Sequence, residues 1–270
     1  MICRTIDIWE GFEKIDKNIE GVRPTMDTYV LAGDKIRPAI LICPGGGYSF
    51  TSEREAEQIA LKFNAAGFHA FVLYYSVAPK KHPQPLYDVS RAVCLIRENA
   101  DKYNIDKDKI VVCGFSAGGH LAASLGTLWN KDYIRDSLKF EKGMNKPNGL
   151  ILCYPVITSG EFAHKGSFTN LVGDKACVEV MDELSLEKQV SFDTPETFIW
   201  HTFEDSTVPV ENTILFAKAL RSQDIPFELH IYPKGGHGLS LATQETGEVN
   251  NHVATWMDLC IEWVKSLGTA

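Results

Sequence analysis

Ser116 stands where a strand-like run passes directly into a helix-like run. The segment KIVVCGFSAGGHLAASLG, residues 109–126, has the pattern G-F-S-A-G at this junction. So abrupt a turn strains its apex and crowds the positions on either side, which explains glycine at both ends of the pattern. The hydroxyl then projects beside the first helical amides, as in a catalytic nucleophile. A glycine-rich turn that only caps a helix or holds a phosphate is the alternative, and the order strand, apex, helix favours the nucleophile.

A serine nucleophile needs a base, and in this kind of junction the chain order is serine, acid, histidine. His237 follows the last strand-like run, and glycines at 235, 236 and 238 let the backbone swing the imidazole over the sheet edge. We therefore predict His237 as the base. The other histidines are expected within strands (His201, His230), on the helix behind the nucleophile (His120), at a strand start (His69), or exposed (His82, His164, His252).

Two carboxylates, Glu204 and Asp205, end the strand-like run that precedes the histidine segment. Either could orient the imidazole and stabilise its charged form. Asp205 is preferred because it lies one residue further into the loop and on the opposite face from Glu204. The alternative is that both are ordinary turn residues, since aspartate is common where a helix is about to begin.

A triple glycine, residues 45–47, follows the apolar run AILIC. Backbone amides of such a loop can approach a substrate oxygen closely, so we predict that the amides of Gly46, Gly47 and Ala117 hold a developing oxyanion. A phosphate cradle is the alternative, but the lysine that ends a P-loop and the G-x-G-x-x-G form are both absent.

Ring side chains near these segments are candidates for the walls of a substrate pocket, with ordinary packing as an equal alternative for each: Tyr48, Phe50, Tyr75 and His82. Residues 157–194 form a long insertion between two strand-like runs. Ordered insertions of this length often act as lids or binding loops, so we expect this one to contribute to the pocket.

Short apolar runs alternate with helical patterns along the chain. Runs of this kind are typical of strands buried on both faces of a parallel sheet, and their alternation with helices predicts helices on both faces. Two further strands near the N-terminus, TIDIW and TYVLAG, suggest an antiparallel edge. The six apolar runs cover residues 39–43, 69–76, 109–115, 149–155, 197–203 and 227–233.

Three helical patterns have clear signals. Ser52 and Glu55 form an S-x-x-E pattern, which predicts a capping box at the start of the first helix. Residues 86–103 carry a second apolar face. A last helix is expected over about 248–267, with Val249 on its apolar side.

Composition fits one α/β domain over residues 1–270 and excludes several classes. The chain has 44% hydrophobic residues and a net charge of −8, which argues against a nucleic-acid surface. Charges interrupt the N-terminal segment, and no apolar run is long enough to cross a membrane, so we expect a cytoplasmic protein without a membrane partner. The seven cysteines are scattered, and Cys43, Cys113 and Cys153 are expected as buried thiols.

The motifs PGGGY, GFSAGGHLAASLG, FEDSTVP and GGHG resemble those of the α/β-hydrolase serine esterases. The resemblance is strongest to a bacterial carbohydrate-esterase-like branch, often labelled acetylxylan or feruloyl esterases or lipase/esterases. The resemblance extends from the PGGGY loop, residues 44–48, to the C-terminal helix. Pro44 and Phe115 stand where hormone-sensitive-lipase-like esterases carry histidine and aspartate, which places the chain outside that branch.

This resemblance implies an α/β-hydrolase fold of about eight strands, mostly parallel, and a triad of Ser116, His237 and Asp205. It also implies hydrolysis of short-chain esters, with an acetylated sugar or xylo-oligosaccharide as the first choice of substrate, and no cofactor or metal. A small amidase or formamidase-like peptidase of the same fold is the alternative, and a non-catalytic binding protein is a third. Formation of a homo-oligomer stays open.

Overall fold

The computed structural model describes residues 1–12 and 23–268. The strands within these ranges are β1 (Ile2–Asp7), β2 (Thr25–Val30), β3 (Arg37–Cys43), β4 (His69–Tyr74), β5 (Ile105–Phe115), β6 (Gly149–Cys153), β7 (Thr197–Thr202) and β8 (Phe227–Tyr232). They form one sheet in the order β1-β2-β4-β3-β5-β6-β7-β8. Each of the six predicted apolar runs falls on one of the strands β3 to β8.

The sheet is parallel except at one edge. β1 pairs with β2 and β2 with β4 in antiparallel fashion, whereas every pair from β4 to β8 is parallel. The predicted antiparallel edge is therefore confirmed, as is the mostly parallel sheet. The carboxyl ends of β3, β5, β6, β7 and β8 consequently meet along one side of the sheet, where the connecting loops can bring distant residues together.

Helices cover both faces of the sheet, as predicted. The helices of the described ranges are α1 (Glu57–Ala65), α2 (Gln84–Glu98), α3 (Ala100–Tyr103), α4 (Ala117–Leu128), α5 (Asp132–Leu138), α6 (Lys165–Val172), α7 (Val178–Glu183), α8 (Glu211–Ser222) and α9 (Trp256–Ser266). One apolar core contains residues of α2, α4 and α8, and the other contains residues of α1 and α9. None of these helices is long and apolar enough to span a membrane.

The predicted thiols lie in both apolar cores, Cys43 in the first and Cys113 and Cys153 in the second. Cys43, Cys113 and Cys153 are fully buried on β3, β5 and β6, and each is a free thiol. A cysteine there acts as a small apolar side chain.

Two helix starts differ from the prediction. Ser52 makes no side-chain cap, and the segment Glu53–Glu55 is a 3-10 turn, so the predicted capping box is wrong. Glu55 instead points into the core, where it binds other partners. The last helix begins at Trp256, not near 248, and Val249 is 58% exposed. A loop and a 3-10 turn (Val253–Thr255) occupy the residues that precede this helix.

The turn between β5 and α4 depends on two glycines. Ser116 has φ 52° and ψ −118°, a conformation that L-residues rarely adopt. A Cβ on Gly114 would lie 2.1 Å from the carbonyl oxygen of Gly118. A Cβ on Gly118 would lie 2.0 Å from the carbonyl oxygen of Cys43 at the end of β3. The start of α4 therefore packs directly on the backbone of the neighbouring strand.

We expect Gly118→Ala to destabilise the fold by at least about 1–3 kcal/mol, because its methyl group meets backbone atoms that cannot move aside. Thermal unfolding measures this as a lower melting temperature. Gly236→Ala is the matched control, since a Cβ there meets nothing within 4 Å. Equal melting temperatures for the two variants would contradict the packing argument.

Candidate active site

The structure brings Ser116, His237 and Asp205 into one chain of hydrogen bonds. Ser116 Oγ lies 2.8 Å from His237 Nε2, and His237 Nδ1 lies 2.6 Å from Asp205 Oδ2. A carboxylate can only accept, so Nδ1 carries the proton and Nε2 is free to accept from the serine hydroxyl. Asp205 is fully buried, whereas the His237 side chain keeps 18% of its surface exposed, toward the cavity beside Ser116.

Three further groups contact the Asp205 carboxylate. The amides of Thr207 and Val208 donate to its Oδ1 at 3.0 and 2.9 Å. The ring of His201, fully buried on β7, lies 3.1 Å from Oδ2. Burial alone would raise the pKa of Asp205, but the hydrogen bonds from His201, His237 and the amide of Val208 outweigh it and hold the pKa well below its usual value. Asp205 is therefore a charged acceptor for the imidazole.

Glu204 does not reach the imidazole. Its side chain points to solvent and pairs with Lys234 at 2.5 Å, and it also accepts the amide of Gly235. Of the two carboxylates weighed from the sequence, Asp205 is the one beside His237.

The three predicted oxyanion donors are the amides of Gly46, Gly47 and Ala117, and Ala117 directly follows Ser116 in the chain. Gly46 and Gly47 line the cavity that contains the Ser116 side chain, and their N–H groups donate to no other group within the described ranges. Ala117 opens α4, where the first amides of a helix have no intrahelical acceptor. All three N–H groups are thus available to an oxygen bound beside Ser116.

Glu55 connects two loops: the glycine loop, residues 44–52, and the histidine loop, residues 233–243. Its carboxylate is 3% exposed and accepts the amide of Gly45 at 2.7 Å and the hydroxyl of Tyr154 at 2.6 Å. The same Tyr154 hydroxyl accepts the amide of Ser240 at 3.0 Å, and the Tyr154 ring packs edge-on against the ring of His237. Burial raises the pKa of Glu55, and the two donated hydrogen bonds oppose that rise. One buried carboxylate therefore braces both loops.

The cavity beside Ser116 has a volume of about 360 Å³, and most of its lining residues other than glycine are of polar type. The insertion contributes directly, since His164, Gly166 and Asn170 form one wall and Asn170 Nδ2 donates to the carbonyl oxygen of Gly47 at 2.8 Å. The remaining wall residues are Gly46, Gly47, Ser49, Phe50, Ser52, Arg54, Glu55, Thr207, His237 and Gly238. In the described part of the chain, no group of three or more His, Cys, Asp or Glu side chains is arranged to hold a metal ion.

His164 was expected on the surface, and that expectation is wrong. The side chain is half-buried, and its Nδ1 accepts the amide of Ser167 at 3.3 Å. Because a backbone amide can only donate, the neutral ring carries its proton on Nε2. Burial and the nearby ring of His237 lower the pKa of His164, which favours this neutral form.

Tyr48, Tyr75 and His82 do not line the cavity beside Ser116, so a contact of these side chains with substrate in that cavity is not supported. Tyr75 lines a neighbouring cavity instead. The Tyr75 hydroxyl donates to the carbonyl oxygen of Pro44 at 2.6 Å, beneath the glycine loop. The ring of His82 packs edge-on against Tyr133, away from Ser116. Phe50, the fourth candidate, does lie at the cavity wall.

Tyr48 is buried, and its hydroxyl has a buried partner in His120. The Tyr48 hydroxyl lies 2.9 Å from His120 Nδ1, and His120 Nε2 lies 2.9 Å from the carbonyl oxygen of Leu184 in the insertion. Since a carbonyl only accepts, Nε2 carries the proton and Nδ1 accepts from Tyr48. The neutral ring of His120 therefore ties the glycine loop, α4 and the insertion together.

Sequence reasoning missed Glu55 as a site residue because the S-x-x-E pattern already explained it. Its spacing of four from Ile59, a buried residue of α1, was the available signal for a buried side chain. The second histidine at Asp205, His201, was read as a structural strand residue. Nothing in its spacing indicated that its ring would meet the carboxylate.

The BD-FAE family model matches residues 26–220 of the chain. Endo-1,4-beta-xylanase B of Butyrivibrio fibrisolvens is 43% identical over 243 residues, which cover 88% of this chain and 38% of that protein. An acetylxylan esterase of Xylanibacter ruminicola is 32% identical over 211 residues, which cover 76% of this chain and 42% of that protein. The chain thus spans about two fifths of the length of both relatives.

A solved structure matches over nearly its whole length. The acetyl ester-xyloside bifunctional hydrolase from Caldicellulosiruptor lactoaceticus superposes with a TM-score of 0.88 at 42% identity. The match covers 98% of this chain and 96% of that one. The two proteins therefore share the sheet and helices described above over nearly the whole length of both chains.

We expect Glu55→Gln to lower both kcat and the free energy of unfolding. The glutamine amide must place an N–H group against another donor, either the Gly45 amide or the Tyr154 hydroxyl, at a cost of about 1–3 kcal/mol. Kinetics and denaturant unfolding measure the two effects. Glu53→Gln, an exposed neighbour in the same turn, is the control, and identical behaviour of both variants would refute the bracing role.

We expect His120 to make stability depend on pH. Burial lowers its pKa from 6.5 to about 4, so below about pH 6.5 the unfolded chain binds a proton that the folded protein does not. The free energy of unfolding should therefore fall between pH 7 and pH 4, with about 3 kcal/mol of the loss due to this residue. Denaturant unfolding at several pH values measures it, and His120→Gln should flatten the curve. An equally steep curve in the variant would exclude His120 as the cause.

Proposed function

Because the chain belongs to the BD-FAE family of α/β hydrolases, we propose that it is a serine esterase acting on short-chain carboxylic esters. The observation that carries the proposal is the unbroken hydrogen-bonded chain from Ser116 through His237 to the buried Asp205. Such a chain lets a neutral imidazole take the serine proton while a fixed charge stabilises the resulting imidazolium.

In the proposed mechanism, Ser116 Oγ attacks the ester carbonyl and its proton moves to His237 Nε2. The carbonyl oxygen becomes an oxyanion, which the amides of Gly46, Gly47 and Ala117 stabilise. As the C–O bond to the alcohol breaks, His237 returns the proton to the leaving oxygen. Water, deprotonated by the same nitrogen, then attacks the acyl-serine, and its proton restores the Ser116 hydroxyl as the acid leaves.

The amides supply most of the stabilisation specific to the transition state. An oxyanion-hole donor typically contributes about 2.7–4 kcal/mol. Such donors work only when they are fixed before the charge develops. The hydrogen bonds of Glu55 to the Gly45 amide and of Asn170 to the Gly47 carbonyl provide that fixation on both sides of the loop.

Acetyl esters of sugars or xylo-oligosaccharides are the proposed physiological substrates. Relatives named for acetylxylan and xyloside hydrolysis support this choice. The cavity supports it as well, because its volume suits a small acyl group and its walls carry hydroxyl and amide side chains that can bind sugar hydroxyls. We propose that the insertion, residues 157–194, forms the substrate-binding wall through His164 and Asn170.

A substrate panel tests the proposal. Initial rates are measured on p-nitrophenyl esters from acetate to octanoate, on acetylated xylo-oligosaccharides, and on a matched anilide. We expect the highest kcat/KM on acetate and on the acetylated saccharides. Activity confined to the anilide would replace the esterase with an amidase. Inactivity on every substrate, together with no labelling of Ser116 by an organophosphonate, would favour a binding protein.

We expect Asp205→Asn to lower kcat by about 10⁴-fold, because an amide can present an N–H group to His237 and favour the wrong tautomer. Glu204→Gln is the matched control at the adjacent position and should keep wild-type kcat, since its side chain faces solvent. Both variants are assayed on p-nitrophenyl acetate. The reverse order of the two effects would assign the acid role to Glu204.

A further inference from the structure

The glycine loop presents one aromatic ring to the core and another to solvent. Tyr48, at φ 58°, reverses the chain and is 2% exposed, whereas Phe50, two residues later, is 59% exposed. The turn is tight, since the amides of Ser49 and Phe50 both donate to the carbonyl oxygen of Gly46. The Ser49 hydroxyl donates to the same oxygen at 2.9 Å, and the amide of Ser52 donates to the carbonyl oxygen of Gly45. Phe50 is therefore held in solvent by an ordered backbone.

Phe50 stands between two cavities. One is the 360 Å³ cavity that contains Ser116 and His237. The other has a volume of about 480 Å³ and is lined by residues 23–25, 49–51 and 74–80. Ser49 and Phe50 line both, so the two cavities adjoin along this loop.

The second cavity combines aromatic and hydroxyl-bearing side chains. Tyr74, Tyr75 and Phe50 supply rings, and Thr25, Thr51 and Ser76 supply hydroxyl groups. A sugar ring has an apolar face of C–H groups and a rim of hydroxyls, so it needs this mixture of ring surface and polar partners. Most of the lining surface is apolar, which suits the C–H face of a sugar ring. The hydroxyl groups and the charged Lys80 interrupt that surface, whereas an acyl chain would need a continuous apolar lining. The composition therefore favours a saccharide.

We propose that Phe50 is a stacking platform for a sugar ring of the substrate and that the second cavity holds the part of the saccharide beyond the esterified residue. This rests on the proposed esterase function. With the ester carbonyl at Ser116, a saccharide longer than the first cavity can extend past Phe50 into the second. Because hydrogen bonds already fix the backbone that carries Phe50, stacking on its ring does not require the loop to be ordered first.

The test compares acetylated xylotriose, acetylated xylose and p-nitrophenyl acetate as substrates of the full chain. For Phe50→Ala, we expect the ratio of kcat/KM on acetylated xylotriose to that on p-nitrophenyl acetate to fall about tenfold, the usual size of one lost aromatic contact. The fall should be smaller for acetylated xylose, which does not reach the second cavity. Phe50→Trp should restore the ratio.

A binding measurement separates this inference from the catalytic one. Unacetylated xylotriose is tested as a competitive inhibitor of p-nitrophenyl acetate hydrolysis, and Phe50→Ala should weaken it about tenfold. Phe192→Ala is the control, because that ring is 80% exposed and lines neither cavity. Equal losses on all substrates would mean that Phe50 only supports the loop. An unchanged inhibition constant and substrate ratio would mean that the saccharide binds elsewhere. Either result would refute the stacking role of Phe50. Inactivity of the wild-type protein on every ester would instead overturn the proposed function.

Discussion

The backbone of Ser116 lies at φ 52° and ψ −118°, and the site depends on keeping it there. A residue in such a region costs about 1–3 kcal/mol and persists only when its surroundings fix it. Here the Ser116 amide donates to the carbonyl oxygen of Cys153 on β6, and the Ser116 carbonyl oxygen accepts the amides of His120 and Val156. Gly118 lets α4 sit directly on the end of β3, because any side chain there would overlap backbone. Ser116, the proposed nucleophile, is thus fixed by two neighbouring strands and by the helix that follows it.

The other groups of the site lie on loops, which by themselves would be free to move. Glu55 removes much of that freedom, since its two oxygens hold the glycine loop directly and the histidine loop through Tyr154. A neutral isostere could not accept on both sides, which explains why a costly buried carboxylate stands there. His120 restrains the glycine loop as well, through hydrogen bonds with the Tyr48 hydroxyl and with the carbonyl oxygen of Leu184 in the insertion. The proposed oxyanion donors and the proposed base, His237, are therefore held in place by the fold itself.

The sequence indicated the parts of the structure that periodicity and chain order control. Buried parallel strands are nearly continuous apolar runs, so the six central strands could be located, and the order serine, acid, histidine singled out Asp205 and His237. Long-range side-chain partners could not be read in this way. Glu55 followed a helix-start pattern, yet its partners lie 10 and 99 positions away in the chain. Which rings of the glycine loop face inward depended on the positive φ of Tyr48, which no periodicity predicts.

Two proposed roles of the glycine loop require different kinds of residue. In the proposed mechanism the amides of Gly46 and Gly47 approach a substrate oxygen, which demands small residues, while Phe50 lies at the wall of the same cavity. The shared acceptor is the carbonyl oxygen of Gly46, which receives the amides of Ser49 and Phe50. The backbone of Phe50 is therefore hydrogen-bonded to Gly46, which we propose as an oxyanion donor. Binding energy gained far from the ester can in this way be used to orient the groups that stabilise the transition state, rather than only to retain the substrate.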